Sequence, residues 1–240
     1  MMSTNSISDI KAYEIIDNRG MPTIRVAVCV DGRFWGHADV PSGSSTGSYE
    51  AMELRDGDSR YRGKGVLNAI QNIHDVLLPE LRGQDAGNQK AIDTRMLALD
   101  GTETKSNLGG NAILGVSLAV ACAAANACGK PLYRYLNADA RVLPVPQACL
   151  LNGGVHAGND LDIQEFCVMP TGARTFAESV QILCETFYSL KDILRDKVGK
   201  SATNSGEDGG FAPPISSTRQ AMDLLCEAVQ RSGYTDKVVY

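Results

Sequence analysis

Between Asn152 and Phe166 the chain reads N-G-G-V-H-A-G-N-D-L-D-I-Q-E-F, bringing a paired glycine, one of three histidines (His156) and an adjacent Gln164-Glu165 into one stretch. Short apolar runs flank it, Ala148–Leu151 before and Phe166–Met169 after. A polar loop held between two apolar runs suits ligand binding and proton exchange better than packing. A second small-residue loop, Pro41-Ser42-Gly43-Ser44-Ser45-Thr46-Gly47, offers hydroxyls and bare backbone. It reads either as a surface loop or as a mobile flap that closes on a ligand. A third polar stretch, Ser205-Gly206-Glu207-Asp208-Gly209-Gly210-Phe211, lies between two helical patterns.

The rest of the chain must position these loops. At 240 residues it can form one large domain or two smaller ones with a substantial core. A net charge of −5 leaves no basic footprint for nucleic acid or an anionic membrane. An anionic substrate would then need metal ions to help hold it. Seven cysteines without a C-x-x-C pair fit buried free thiols in a reducing, cytoplasmic compartment, not a disulfide framework or a zinc site. Residues 1–10 lack an apolar signal core, and the uncharged run Ala112–Cys128 is expected to be a buried helix, not a membrane span.

Ile24, Val26, Val28 and Val30 alternate with Arg25, Ala27 and Cys29 as in a half-buried strand. Asp31-Gly32 then predicts a hairpin back along Phe34–Val40, with Ile10–Ile16 as a preceding strand. Ser48–Asp56 reads as a short helix or a solvated charged face. Leu67, Ile70, Ile73, Leu77 and Leu81 mark an amphipathic helix beside a structural His74. Ala91–Leu99 predicts another helix, and Ser106-Asn107 can start the Ala112–Cys128 helix, which Gly129-Lys130-Pro131 stops. Strands followed by helices make an α+β domain over residues 1–140, with a boundary at Arg141–Pro146. Over residues 141–240 the pattern is strand, loop, strand, two helices and a strand just beginning at Lys237–Tyr240. Phe176, Val180, Leu183, Phe187, Leu190 and Leu194 mark the apolar face of the first helix; Met222, Leu225 and Val229 mark that of the second.

Taken in order, these stretches resemble the enolase (phosphopyruvate hydratase) family. The resemblance covers Ile10 to Tyr240 and is carried by D-N-R-G-M-P-T (17–23), P-S-G-S-S-T-G-S-Y-E-A-M-E-L-R-D (41–56), G-K-G-V (63–66) and L-G-G-N-A-I-L-G-V-S-L-A (108–119). It continues through K-P-L-Y (130–133), L-P-V-P (143–146), N-G-G-V-H-A-G-N (152–159), Q-E-F (164–166) and G-G-F-A-P (209–213). It implies an N-terminal α+β capping domain followed by a (β/α) TIM-like barrel of enolase type, here incomplete. Sites of such barrels lie at the C-terminal ends of the strands, where residues 152–165 are expected on the first two.

The resemblance also implies Mg²⁺-dependent, reversible dehydration of 2-phosphoglycerate to phosphoenolpyruvate. For the enolase superfamily the known pattern is a Lys or His base with Mg²⁺ stabilising the ene-diolate. Residue by residue, His156 matches a substrate-binding histidine. Gln164 and Glu165 match a polar pair on the hydroxyl-leaving side, with Glu165 catalytic. Ser45 matches a magnesium ligand, and Ser44 and Gly43 would meet substrate through backbone. The family reads G-D-E-G-G-F-A-P where this chain has Gly206-Glu207-Asp208-Gly209-Gly210. The acids are exchanged, so Asp208 holds the general-acid position, with Glu207 as the other candidate. Cys149 stands where an asparagine is usual. The metal carboxylates and the lysine base of the family fall beyond Tyr240, so the 240 residues alone are expected to lack dehydratase activity, to leave an open sheet edge and to associate. A homodimer is expected where the barrel is complete. The alternatives are a non-catalytic binding relative, or a paralogue acting on a related phospho- or phosphonate acid.

Overall fold

A computed structural model describes residues 5–43 and 45–240, with the backbone alone for His156. The chain divides into two compact units, residues 1–140 and 141–240.

In the first unit, β1 (Ile7–Ile16), β2 (Pro22–Val30) and β3 (Phe34–Asp39) form an antiparallel meander in that spatial order. On β2 the expected inner face is fully buried at Ile24, Val26, Val28 and Val30 and Arg25 is exposed, but Cys29 on the other face is buried as well. Asp31 and Gly32 make the turn with positive φ at both positions, as a tight hairpin twisted with its strands requires. The buried face is covered by α4 (Gly110–Ala127), which packs on β2 and β3. Close approach is possible because Gly36 of β3 lies under the backbone of α4, where an added Cβ would meet Ala123 N at 2.0 Å. Helix α4 is long and apolar enough to cross a membrane, yet 67% of it is buried inside this unit, so it is a core helix.

Three expectations change here. Ser48–Asp56 is not helical. Its backbone bonds outward: Met52 N donates to Thr104 O (2.7 Å), and Gly110 N donates to Met52 O (2.8 Å). Leu54 exchanges bonds with the Asn111 side chain in both directions. Ser106 and Asn107 do not cap α4; Gly109, at φ 98°, occupies that position, while Asn107 Nδ2 donates to Asp100 O. The amphipathic helix is three joined segments, α1 (Leu67–Asn72), a π-helical turn (Ile73–Leu77) and α2 (Leu78–Leu81). The wider turn keeps Ile73, Leu77 and Leu81, four residues apart, on one buried face, and leaves Leu67 exposed. His74 lies on that turn, half-buried. Helix α3 (Gln89–Asp100) is capped by Asn88, and α5 (Leu132–Leu136) follows the Gly129 stop.

In the second unit, β4 (Ala148–Asn152) and β5 (Glu165–Val168) pair antiparallel, with Asn152 opposite Glu165. Leu151 also bridges in parallel to Phe211, and Met169 bridges to Val239. Helices α6 (Phe176–Lys197) and α7 (Thr218–Arg231) pack on each other, with Thr175 and Ser217 as N-caps. The expected face of α6 holds from Leu183 on, with Leu183 and Phe187 packed against the core and Leu190 and Leu194 buried, and fails at its start. Ser179, Ile182, Thr186, Leu190, Ile193 and Leu194 point inward, and Phe176 and Val180 are exposed. Thr186 can enter this core because its hydroxyl lies 3.3 Å from Ser232 Oγ. Phe187 stacks on Phe211, ring centroids 4.3 Å apart, and ties the 205–211 hairpin to α6.

Candidate active site

The first polar loop leaves the C-terminal end of β4 and re-enters at the N-terminal end of β5. Because the strands are antiparallel, these ends coincide in space, with Asn152 and Glu165 opposite each other. The loop thus sits at the C-terminal end of β4 only; Glu165 starts its strand. The expectation of two C-terminal ends assumed parallel strands, and the antiparallel register overturns it.

The 205–211 stretch folds against the same place. A tight hairpin closes with Gly206 N donating to Gly210 O (2.8 Å), and Phe211 bonds β4 on both sides through Leu150 O and Asn152 N. Asn152 is the hub. Its side chain is fully buried, and Nδ2 points at Cys149 Sγ (3.3 Å), Asp208 Oδ2 (3.2 Å) and Gln164 O (3.5 Å). Acceptors on that side fix which end of the amide is nitrogen. Oδ1 faces the hairpin glycines and has no hydrogen-bond partner among the described residues. A Cβ on Gly210 would come within 2.9 Å of Oδ1 and 3.0 Å of Leu151 N, so the hairpin reaches this depth only with glycine there. Asn159 closes the other side, its Nδ2 donating to Asn152 O and Pro213 O, both at 3.0 Å.

Glu165, Gln164, Glu207 and Asp208 are all exposed. Glu165 and Asp208 both act on Cys149: burial pushes that thiol up to about 12, and the charges of Cys167, Glu165 and Asp208 add to the rise. Gln164 contributes its backbone, with Gly153 N donating to Gln164 O at 2.8 Å. The His156 side chain lies outside the described residues, so its expected contact with substrate falls there too. Asn152 and Asn159 were not singled out by sequence reasoning. Their only signal was position inside N-G-G-V-H-A-G-N, since their partners lie up to 56 residues away.

Gly43 and Ser45, in the first unit, are exposed; Ser44 is outside the described residues. The base of this loop is firmly held. Arg19 donates to Ser42 O (2.7 Å) while pairing with Asp17. Arg55 reaches Ser42 Oγ (2.8 Å), Pro22 O (2.6 Å), Lys64 O (2.7 Å) and the Glu53 carboxylate (2.5 Å). Glu53 in turn accepts from Ser42 Oγ and Gly43 N. Sequence reasoning quoted these charged residues only as parts of motifs. Their interlocking bonds give them an anchoring role.

Magnesium takes oxygen ligands in near-octahedral geometry. Ser45 could offer one exposed hydroxyl. Among the described residues, the gathered set of metal-ligand side chains is Cys149, Glu165 and Cys167, which is rich in sulfur. These residues do not by themselves fit Mg²⁺. All seven cysteines are free, and only Cys29 is buried, fewer than their apolar neighbours suggested.

The fold and loops define an α+β unit followed by a second unit of two antiparallel strands, two packed helices and converging polar loops, and comparison with known proteins makes the class specific. The family model described as Enolase, N-terminal domain matches residues 7–136, and that described as Enolase, C-terminal TIM barrel domain matches residues 140–240. The chain belongs to the enolase family. It is 53% identical over 235 residues to a protein named Enolase from Methanococcus maripaludis, covering 98% of this chain and 55% of the relative. The protein of the same name from Methanocaldococcus jannaschii is 52% identical over 235 residues, 98% of this chain and 56% of the relative. That from Thermococcus kodakarensis is 53% identical over 229 residues, 95% and 53% of the two chains. The chain spans about half the length of the curated relatives it matches.

Proposed function

We propose that the chain is part of a cytoplasmic, Mg²⁺-dependent phosphopyruvate hydratase that interconverts 2-phosphoglycerate and phosphoenolpyruvate. In this reading residues 1–140 are the capping domain and 141–240 the opening of the barrel, with the whole protein a homodimer. The observation that carries the reading is the meeting of the 152–165 loop and the 205–211 hairpin at Asn152. It gathers Glu165 and Asp208 around one strand end.

Dehydration removes a weakly acidic proton from C2, beside a carboxylate, and expels hydroxide from C3. The second step needs a proton donor. Glu165 and Asp208 are the carboxyl groups assigned to that side, with Glu207 next to Asp208 on the same turn. His156 and Gln164 are assigned to substrate binding through their side chains, and Gly43 and Ser44 through their backbone. Magnesium, when bound, would neutralise the charge that builds on the substrate carboxylate. Ser45 would supply one oxygen toward it, and the remaining ligands and the base are assigned to the part of the relatives that this chain does not match.

The test is phosphoenolpyruvate formation from 2-phosphoglycerate and Mg²⁺ by the protein as its gene encodes it. The rate should fall roughly a hundredfold or more in Glu165→Gln. The 240 residues alone should be silent. A folded full-length protein with no turnover would overturn the enzyme reading; phosphoenolpyruvate binding without turnover would favour the non-catalytic alternative.

A further inference from the structure

Cys149 and Cys167 lie directly opposite each other across the β4–β5 ladder. Glu165, two residues before Cys167, projects from the same face, because side chains alternate along a strand. Cys149 Sγ, Cys167 Sγ and a Glu165 carboxylate oxygen all lie within 4.8 Å of one another. We propose that this triad binds a soft divalent cation of the Zn²⁺ class, through two thiolates and one carboxylate, with water in the fourth position.

The geometry needs little adjustment. With Zn–S about 2.3 Å and Zn–O about 2.1 Å, neighbouring ligand atoms of a tetrahedral site stand roughly 3.6 Å apart. Cys167 Sγ and Glu165 Oε2 are already separated by 3.5 Å. The ladder fixes where the two sulfurs start from, so less ordering is left for the metal to impose. Outer donors are also in place: Asn152 Nδ2 lies 3.3 Å from Cys149 Sγ, and Gln147 bonds Cys167. Such donors stabilise a thiolate once formed. Sulfur selects Zn²⁺ over the hard Mg²⁺ that the family's chemistry calls for, so the two ions would not compete for one site.

Binding is a proton-coupled exchange with no change of oxidation state. Two S–H bonds break, two metal–sulfur bonds form, and two protons leave to solvent. The cation displaces both thiol protons, so affinity falls as pH falls. A metal here would also hold Glu165 and thereby block its proposed catalytic role.

Co²⁺ is the probe, since thiolate ligation gives it intense charge-transfer and visible bands that oxygen ligation lacks. The reduced full chain should develop these bands with one Co²⁺ per chain, and Zn²⁺ should abolish them. Cys149→Ser or Cys167→Ser should weaken binding at least about tenfold. A triple variant at the exposed thiols, Cys128→Ser, Cys184→Ser and Cys226→Ser, should retain the bands. Bands that survive in the first two variants, or vanish in the triple, would overturn the proposal. If the variants misfold, alkylation of each cysteine in the unaltered chain decides it. Zn²⁺ should protect Cys149 and Cys167 selectively, and protection elsewhere or nowhere rejects the site. Neither readout depends on hydratase activity, so the site and the proposed function stand or fall separately.

Discussion

Asn152 donates its buried side-chain amide to the carboxylate of Asp208 at 3.2 Å, joining the last residue of β4 to the tip of a hairpin 56 residues later. That bond places one acid of the Glu207-Asp208 pair against the strand end where Glu165 begins β5. Asn152→Asp therefore sets two carboxylates against each other where a donor had met an acceptor. It should destabilise the chain more than Asn152→Ala, which leaves a cavity and an unpaired acceptor at a cost of about 1–3 kcal/mol. Urea unfolding followed by circular dichroism should show Asn152→Asp the weaker at neutral pH. The gap should narrow as pH falls, because one of two facing carboxylates takes up a proton and the repulsion goes. Equal midpoints at neutral pH would mean that the contact does not shape the hairpin.

The same bond bears on the exchanged acids. Asp208 is shorter than glutamate by one methylene, and a misplacement on the order of 1 Å can cost about a hundredfold in rate. In the full-length protein the double variant Glu207→Asp/Asp208→Glu should raise kcat by up to about a hundredfold if reach limits proton delivery. An unchanged kcat would show that Asp208, held by Asn152, already stands where the proton is needed.

Much of the first unit could be read directly from the chain, because its signals are local. The alternation from Ile24 to Val30 and the Asp31-Gly32 turn specify a hairpin within a few residues. Ser48–Asp56 misleads because its backbone is satisfied by Thr104, Gly110 and Asn111, about fifty residues further on. Phe176 and Val180 fit a helical stripe but are exposed, since Ser179 and Thr186 take the core positions. A stripe finds apolar side chains; it cannot find a hydroxyl whose partner, Ser232, is the C-cap of another helix. The polar loops stood out by composition, but the antiparallel closure that sets Glu165 opposite Asn152 is a property of pairing alone.

Asp100, the last residue of α3, is buried and accepts from Leu108 N at 2.7 Å, Thr102 N at 3.0 Å and the Thr102 hydroxyl. Burial pushes its carboxyl up, but these bonds outweigh burial and hold it below the ordinary 3.8. A depressed folded value means that the charged form adds stability above the unfolded pKa, and that this is lost as pH falls through the folded one. Asp100→Asn should cost about 1–3 kcal/mol at neutral pH. The penalty should shrink as pH falls below the ordinary 3.8 and through the lower folded value, where the native residue loses its own charge. Urea midpoints of both proteins across acid pH test this; a penalty constant with pH would assign the effect to packing.

Arg55 holds the base of the 41–47 loop through Ser42, Pro22, Lys64 and Glu53 at once. A planar fork can reach such a spread of acceptors, and an ammonium cannot. Arg55→Lys should keep the charge but lose at least one of these bonds, each charged hydrogen bond contributing about 1.5–3 kcal/mol. Local opening at Ser42 and Gly43 should then rise by roughly tenfold or more, read as faster amide hydrogen exchange in a peptide spanning Pro41–Gly43. Exchange over Ile24–Val30 of β2 should stay unchanged, because Arg55 bonds that strand only at Pro22 O, its first residue. Faster exchange in β2 as well would mean that Arg55 supports the whole unit, and an unchanged loop would place the anchor in Arg19, whose guanidinium bonds Ser42 O independently.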